Sequence, residues 1–114
     1  MSRKGKLSAA AVRDSAPVFA ALGDETRLRL VARLCEHGPQ SIARLTEGEP
    51  LTRQAITKHL RVLADAGIAR DLRRGRERLW ELERRRIDEA RLCLDLVSRE
   101  WDEALARLKA FVES

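Results

Sequence analysis

Tyrosine is absent from this chain, and its aromatic residues are Phe19, Trp80, Trp101 and Phe111. Surfaces that grip single-stranded nucleic acid stack successive bases on several exposed aromatics, so this composition argues against that class. No stretch approaches the roughly 20 apolar residues of a membrane span. The basic start, "MSRKGKLSAAAVRD", is interrupted by Arg13 before an apolar run of signal-peptide length can form. A cytoplasmic location is therefore expected, where the two cysteines would be reduced thiols rather than a structural disulfide. Histidine occurs only twice, and no Gly-Lys phosphate loop, GxGxxG or HExxH is present. The chain reads as no enzyme and as needing no cofactor, its carboxylates being scattered beside Arg and Lys as on solvated helix faces.

What is present is charge, unevenly placed. The 114 residues suit one domain, and 44% hydrophobic residues are enough for a core despite 36% charged ones. Between residues 51 and 86 stand 11 Arg or Lys against 5 Asp or Glu, a balance of +6 within a chain whose total is +5. Positive charge gathered in one segment is what a polyanion-binding surface requires.

Residues 1–14 are expected to form a flexible basic arm, with the domain proper at 15–114. "SAPVFAALG" predicts a helix with Ser15 as N-cap, Pro17 in its first turn and Gly23 as its stop. "DETRLRLVARLCEHG" predicts a second, capped by Asp24 and ended by Gly38, with an apolar stripe of Leu28, Val31, Ala32 and Cys35. A short helix is expected from Ser41 to about Thr46, and another from near Thr52 to Gly67. Gly75 lies between segments holding Leu72 and then Leu79, Trp80 and Leu82. That pattern predicts a β-hairpin with Arg73, Arg74, Arg76 and Arg78 at or beside its tip. The fold class is mainly α with a small β-hairpin wing, a winged helix-turn-helix layout.

The helix in "LTRQAITKHL" carries two stripes. Ile56, His59, Leu60 and Leu63 recur at i, i+3, i+4 and i+7, one face of a helix. Gln54, Thr57, Lys58 and Arg61 recur on the opposite face, with Arg53 beside them and no acid before Asp65. In a helix-turn-helix the second helix enters the major groove of DNA, its N-terminal side chains meeting base edges. Thr52, Arg53, Gln54 and Thr57 are the candidates for base reading: Arg pairs bidentately with guanine and Gln with adenine. Lys58 and Arg61 are candidates for phosphate, as are wing residues Arg73, Arg74, Arg76 and Arg78. His59, on the inner stripe, is expected to be partly buried and hydrogen-bonded. An alternative is a winged-helix module for protein or RNA. A protein-binding helix, however, exposes apolar anchors, and RNA duplexes hide their major groove.

The last segment, about 84–113, has the clearest period. Ile87, Ala90, Leu94, Val97, Trp101, Ala104, Leu108 and Phe111 alternate spacings of three and four. Such a seam suits a second copy of the chain better than one small core.

In this order "FAALGDETRLRLVARL" (19–34), "LTRQAITKHLRVLADAGI" (51–68) and "RRGRERLWEL" (73–82) resemble the ArsR family of winged-helix transcriptional regulators, over roughly residues 15–113. The resemblance implies a homodimer joined through the first and last helices, which adds Phe19 and Leu22 to the interface. It also implies binding to double-stranded operator DNA, with repression relieved by a signal. Metal-sensing relatives carry Cys-x-Cys where this chain has Ser41 and Ala43, and the last helix holds no His. The ending Trp101, Leu105, Leu108, Phe111 is similar to a branch without metal sites, so no metal is expected. Cys35 and Cys93 stand in the helices that carry oxidant-sensing cysteines in some relatives; the other reading makes both small core hydrophobes. The effector is left open between a small organic molecule, a partner protein and none.

Overall fold

A computed structural model describes residues 7–114. The elements are α1 (Ala9–Leu22), α2 (Glu25–His37), β1 (Gln40–Ser41), α3 (Ile42–Thr46), α4 (Arg53–Asp65), β2 (Ala69–Arg74), β3 (Glu77–Leu82) and α5 (Arg84–Glu113). Besides α1, three of the helices start on capping side chains. Asp24 accepts from the Arg27 N–H, Ser41 from that of Arg44 and Thr52 from that of Ala55, each satisfying a donor that the first turn leaves open.

Helix α1 begins earlier than expected. Ser8 is its cap, accepting from the Ala11 N–H at 3.1 Å, and residues 9–14 are helical rather than part of an arm. Residues 1–6 of the expected arm lie outside the described residues. Ser15 is buried inside the helix, and Pro17 sits within it rather than in its first turn. Burial of Val18 and Ala21 along one face gives the helix its tertiary anchor.

The apolar stripe of α2 is also corrected. Leu30 and Leu34 are the buried residues and Val31 is half-buried, whereas Leu28 is 51% exposed and Ala32 and Cys35 face solvent. Both stripes have helical spacing, and the neighbours of Arg27, Arg29 and Arg33 decide between them. Arg33 donates to the carbonyls of Arg44, Leu45 and Glu47, closing the C-terminal end of α3. Arg29 holds Glu49 through two hydrogen bonds at 2.9 and 3.2 Å. Three guanidinium groups thus face the body of the domain and turn Leu28 outward.

Leu30, Leu45, Ile56, Leu60, Leu63 and Ile68 are fully buried at the centre. Helix α4 ends in a Schellman turn: Gly67 (φ +78°) donates to Ala64 O and Ile68 to Leu63 O, both at 2.9 Å. Gly67 is required twice over, since a Cβ there would come within 2.8 Å of Arg86 Cγ. The sheet has three strands in the order β1-β3-β2, all antiparallel. Strand β1 adds an edge that the sequence did not reveal, because two residues carry no period.

Helix α5 changes environment along its length. Ala90, Cys93 and Leu96 are buried in the single chain, and Ile87 packs against the core. Ala90 is therefore a core residue rather than a free interface position. Phe19 and Leu22 of α1 likewise pack on this core. From Leu94 onward the heptad stripe is bare: Trp101 is 64% and Phe111 80% exposed, and Leu94, Val97 and Leu108 are exposed too. The 17 residues from 97 to 113 extend about 26 Å, in a molecule 66 Å along its longest axis. No helix among the described residues is long and apolar enough to cross a membrane.

Candidate nucleic-acid interface

The inner stripe of α4 anchors the helix, with Ile56, Leu60 and Leu63 fully buried. Its outer face is held out to solvent: Thr52, Arg53, Gln54, Lys58 and Arg61 are exposed and Thr57 is half-buried. Among the described residues Arg53, Lys58 and Arg61 enter no ion pair. The two threonines are partly committed. Thr52 accepts from the Ala55 N–H, leaving its hydroxyl hydrogen free, and Thr57 donates to Arg53 O at 2.8 Å, leaving only acceptor capacity.

His59 docks α4 on the corner between α1 and α2. Arg27 Nη1 lies 3.2 Å from His59 Nδ1, and a donor-only guanidinium makes that nitrogen the acceptor. The same Arg27 donates through Nε to Ala21 O at 2.6 Å, and Asp24 Oδ2 is 3.9 Å from the imidazole. The N–H donated by Arg27 holds the Asp24 carboxyl below the usual range. Glu49, in the turn between α3 and α4, has a side chain only 5% exposed. Its hydrogen bonds from Arg29 hold its pKa down against the opposing effect of burial.

The wing is a two-residue hairpin whose register pairs Arg74 with Glu77. Gly75 has φ +63° and no non-glycine residue among those described has positive φ, the backbone of a type II′ turn. The four arginines around the tip are not equivalent. Arg78 donates to Asp71 Oδ2 at 2.7 Å and stacks 5.8 Å from the Trp80 ring centroid, so its charge is already engaged. Arg73, Arg74 and Arg76 are exposed and enter no ion pair among the described residues. Arg70, which carried no role in the sequence reading, is pinned at the wing's base by Glu81 at 2.7 Å and Glu83 at 3.1 Å. These cross-strand pairings follow from register, which composition alone does not supply.

A family model described as a helix-turn-helix domain matches residues 22–71. An HTH-type transcriptional regulator of Mycobacterium tuberculosis is 34% identical over 94 residues, covering 82% of this chain and 84% of that one. The structure of an ArsR-like transcriptional regulator from Rhodococcus sp. RHA1 superposes with a TM-score of 0.77 at 33% identity, covering 90% of this chain and 95% of that one. The chain belongs to the ArsR family of winged helix-turn-helix transcriptional regulators. A solution structure of a homodimeric winged helix-turn-helix domain from Mycobacterium bovis, a possible ArsR-family regulator, shares the fold. Its TM-score is 0.62 at 23% identity, covering 94% of this chain and 93% of that one.

In this ArsR-family regulator Ser41 caps α3 and Ala43 lies within that helix. Among the described residues no three His, Cys, Asp or Glu side chains converge as a metal site would require. Both cysteines are free and they occupy different surroundings. Cys35 is exposed beside a cleft with Ile87 and Arg91, whereas Cys93 is buried against α1, near Ala11 and Ser15.

Proposed function

We propose that this ArsR-family regulator works as a homodimeric repressor that reads its operator through the N-terminal half of α4, in the cytoplasm, with no catalytic role. The observation that carries the reading is the outer face of α4, where Arg53, Gln54, Lys58 and Arg61 stand exposed over a fully buried inner stripe. Arg53 and Gln54, at the first turn, are placed to enter the major groove first. The Thr52 hydroxyl can donate to a base or phosphate, and the Thr57 oxygen can accept from a base amino group. Lys58 and Arg61 hold phosphate, as do Arg73, Arg74 and Arg76 on the wing. Arg78 has the smallest share, because Asp71 competes for its charge.

The dimer uses the bare stripe of α5: Leu94, Val97, Trp101, Ala104, Leu108 and Phe111. So many exposed apolar side chains on one helix face mark an interaction surface, and the heptad spacing suits a second copy. Phe19, Leu22 and Ile87 flank it from the core side. The chain falls in the branch that lacks the family's metal-binding cysteines, and the releasing signal is another kind of effector.

The test is fluorescence anisotropy with the gene's own upstream DNA against a scrambled duplex, both at about 0.15 M salt. A preference of about 10³-fold or more is expected of a specific regulator. Equal, weak, salt-sensitive binding to both duplexes would favour a general interaction module.

A further inference from the structure

We infer that the DNA interface extends beyond α4 and the wing tip onto α3, through a cleft where Arg44 and Arg74 grip the phosphate backbone. This rests on the DNA-binding reading above and adds to it a site on a different element.

The cleft measures about 280 Å³ and is lined by Pro39, Gln40, Ser41, Arg44, Arg74, Glu77 and Leu79. Its composition follows from the register. Ser41 pairs with Leu79, and Arg74 with Glu77, and the two-residue period of β3 puts Glu77 and Leu79 on the same face of the sheet. Leu79 is buried and forms the floor. Arg44, in the first turn of α3, closes the other wall. Both guanidinium groups are exposed and enter no ion pair among the described residues. This contrasts with the engaged Arg29, Arg33, Arg70 and Arg78 nearby in sequence. The Ser41 oxygen accepts from the Arg44 N–H at 3.2 Å, which leaves its hydroxyl hydrogen available to a third partner.

Two free guanidinium groups and a hydroxyl donor above an open, polar cleft suit a doubly exposed phosphate oxygen pair. The position favours a phosphate of DNA over a free anion. β1 is paired to β3 of the wing, and α3 packs on α4, so the cleft is the seam between the groove-reading unit and the wing. A duplex engaged by both must carry its backbone across that seam. Glu77 is the one carboxylate lining the cleft, and there it opposes the phosphate.

The experiment measures salt dependence on the upstream and scrambled duplexes for the full chain and its Arg44→Ala, Arg44→Lys, Glu77→Gln and Arg99→Ala variants. Each phosphate contact contributes a slope of about 0.9 in log affinity against log salt. Arg44→Ala removes one contact from each protomer, and is therefore expected to weaken both duplexes alike and to lower the slope by about two for the dimer. Its deficit relative to the parent shrinks about 12-fold between 50 and 200 mM salt. Arg44→Lys keeps the slope, Glu77→Gln tightens both duplexes, and Arg99→Ala, an exposed arginine of α5 that does not line the cleft, changes nothing. The Arg44 side chain makes no hydrogen bond among the described residues, so unchanged thermal unfolding accompanies these shifts. An unchanged slope in Arg44→Ala, or no tightening in Glu77→Gln, overturns the site. Loss of sequence preference in the parent overturns operator reading alone, because the scrambled duplex still reports the phosphate contact. A parent that binds neither duplex removes both.

Discussion

Arg53 and Gln54 differ from the other polar residues of α4 in what they can distinguish. Each offers paired hydrogen-bonding groups at the start of the helix, whereas Lys58 is a point charge. Replacing either by Ala should cost about 1–3 kcal/mol of discrimination between the operator and a site mutated at the contacted base. Competition binding on the two duplexes measures it, and equal losses on both would contradict base reading. Glu49 yields a second expectation at this scale. Its folded-state pKa is depressed by Arg29. The stability it contributes is therefore complete above the unfolded value of about 4.3 and declines as pH falls through the lower folded value. Glu49→Gln should flatten the loss of unfolding free energy between neutral pH and about pH 3. Parallel denaturation curves for parent and variant would mean the pair is energetically silent. The identities of Arg53 and Gln54 could be read from the chain, but the Arg29–Glu49 pair spans 20 residues and has no local signature.

Among the elements, the wing and α4 were legible and α1 and α2 were legible only in part. Helix α4 has one apolar stripe, so periodicity had one solution. The wing has Gly75 between two strand-like segments, and a two-residue turn with positive φ at its first position needs such a residue. Helix α2 offers two stripes, and contacts made by Arg27, Arg29 and Arg33 with other elements select the one that is buried. For α1, Ser8 and Ser15 are both acceptable caps locally; packing of the helix along α5 carries it back to Ala9. The wing gives its own prediction. Arg76, at the tip and without an ion pair among the described residues, should act through charge alone. Arg76→Ala is expected to weaken operator and scrambled DNA alike and to reduce the salt slope by about one per protomer, about two for the dimer. A slope equal to the parent's would place the tip off the DNA.

At the scale of the whole molecule, α5 is a single helix with two environments. Its first half completes the core through Ala90, Cys93 and Leu96, and its second half projects a bare apolar stripe. A polar substitution at Val97 or Trp101 should leave the domain folded and yield monomers in sedimentation, because neither side chain supports the core. Those monomers should also bind operator DNA far more weakly, since two half-sites are then no longer engaged together. A dimer that survives both substitutions would place the interface elsewhere.

Periodicity, capping residues and charge placement, all local in the chain, were enough to specify the winged helix-turn-helix order, the buried stripe of α4 and the concentration of positive charge around it. They act within a turn or two of backbone, and each is a property of neighbours in sequence. Folding decided matters that depend on distant partners. It set which stripe of α2 is inward, that Ala90 is core while Trp101 is bare, and that Asp71 engages Arg78 while Arg74 stays free. It also brought Arg44 of α3 into one cleft with Arg74 and Glu77, beside the turn of the wing. Each of these is fixed by strand register or helix packing between residues far apart in the chain, and no local pattern encodes which of two acceptable partners a side chain will meet.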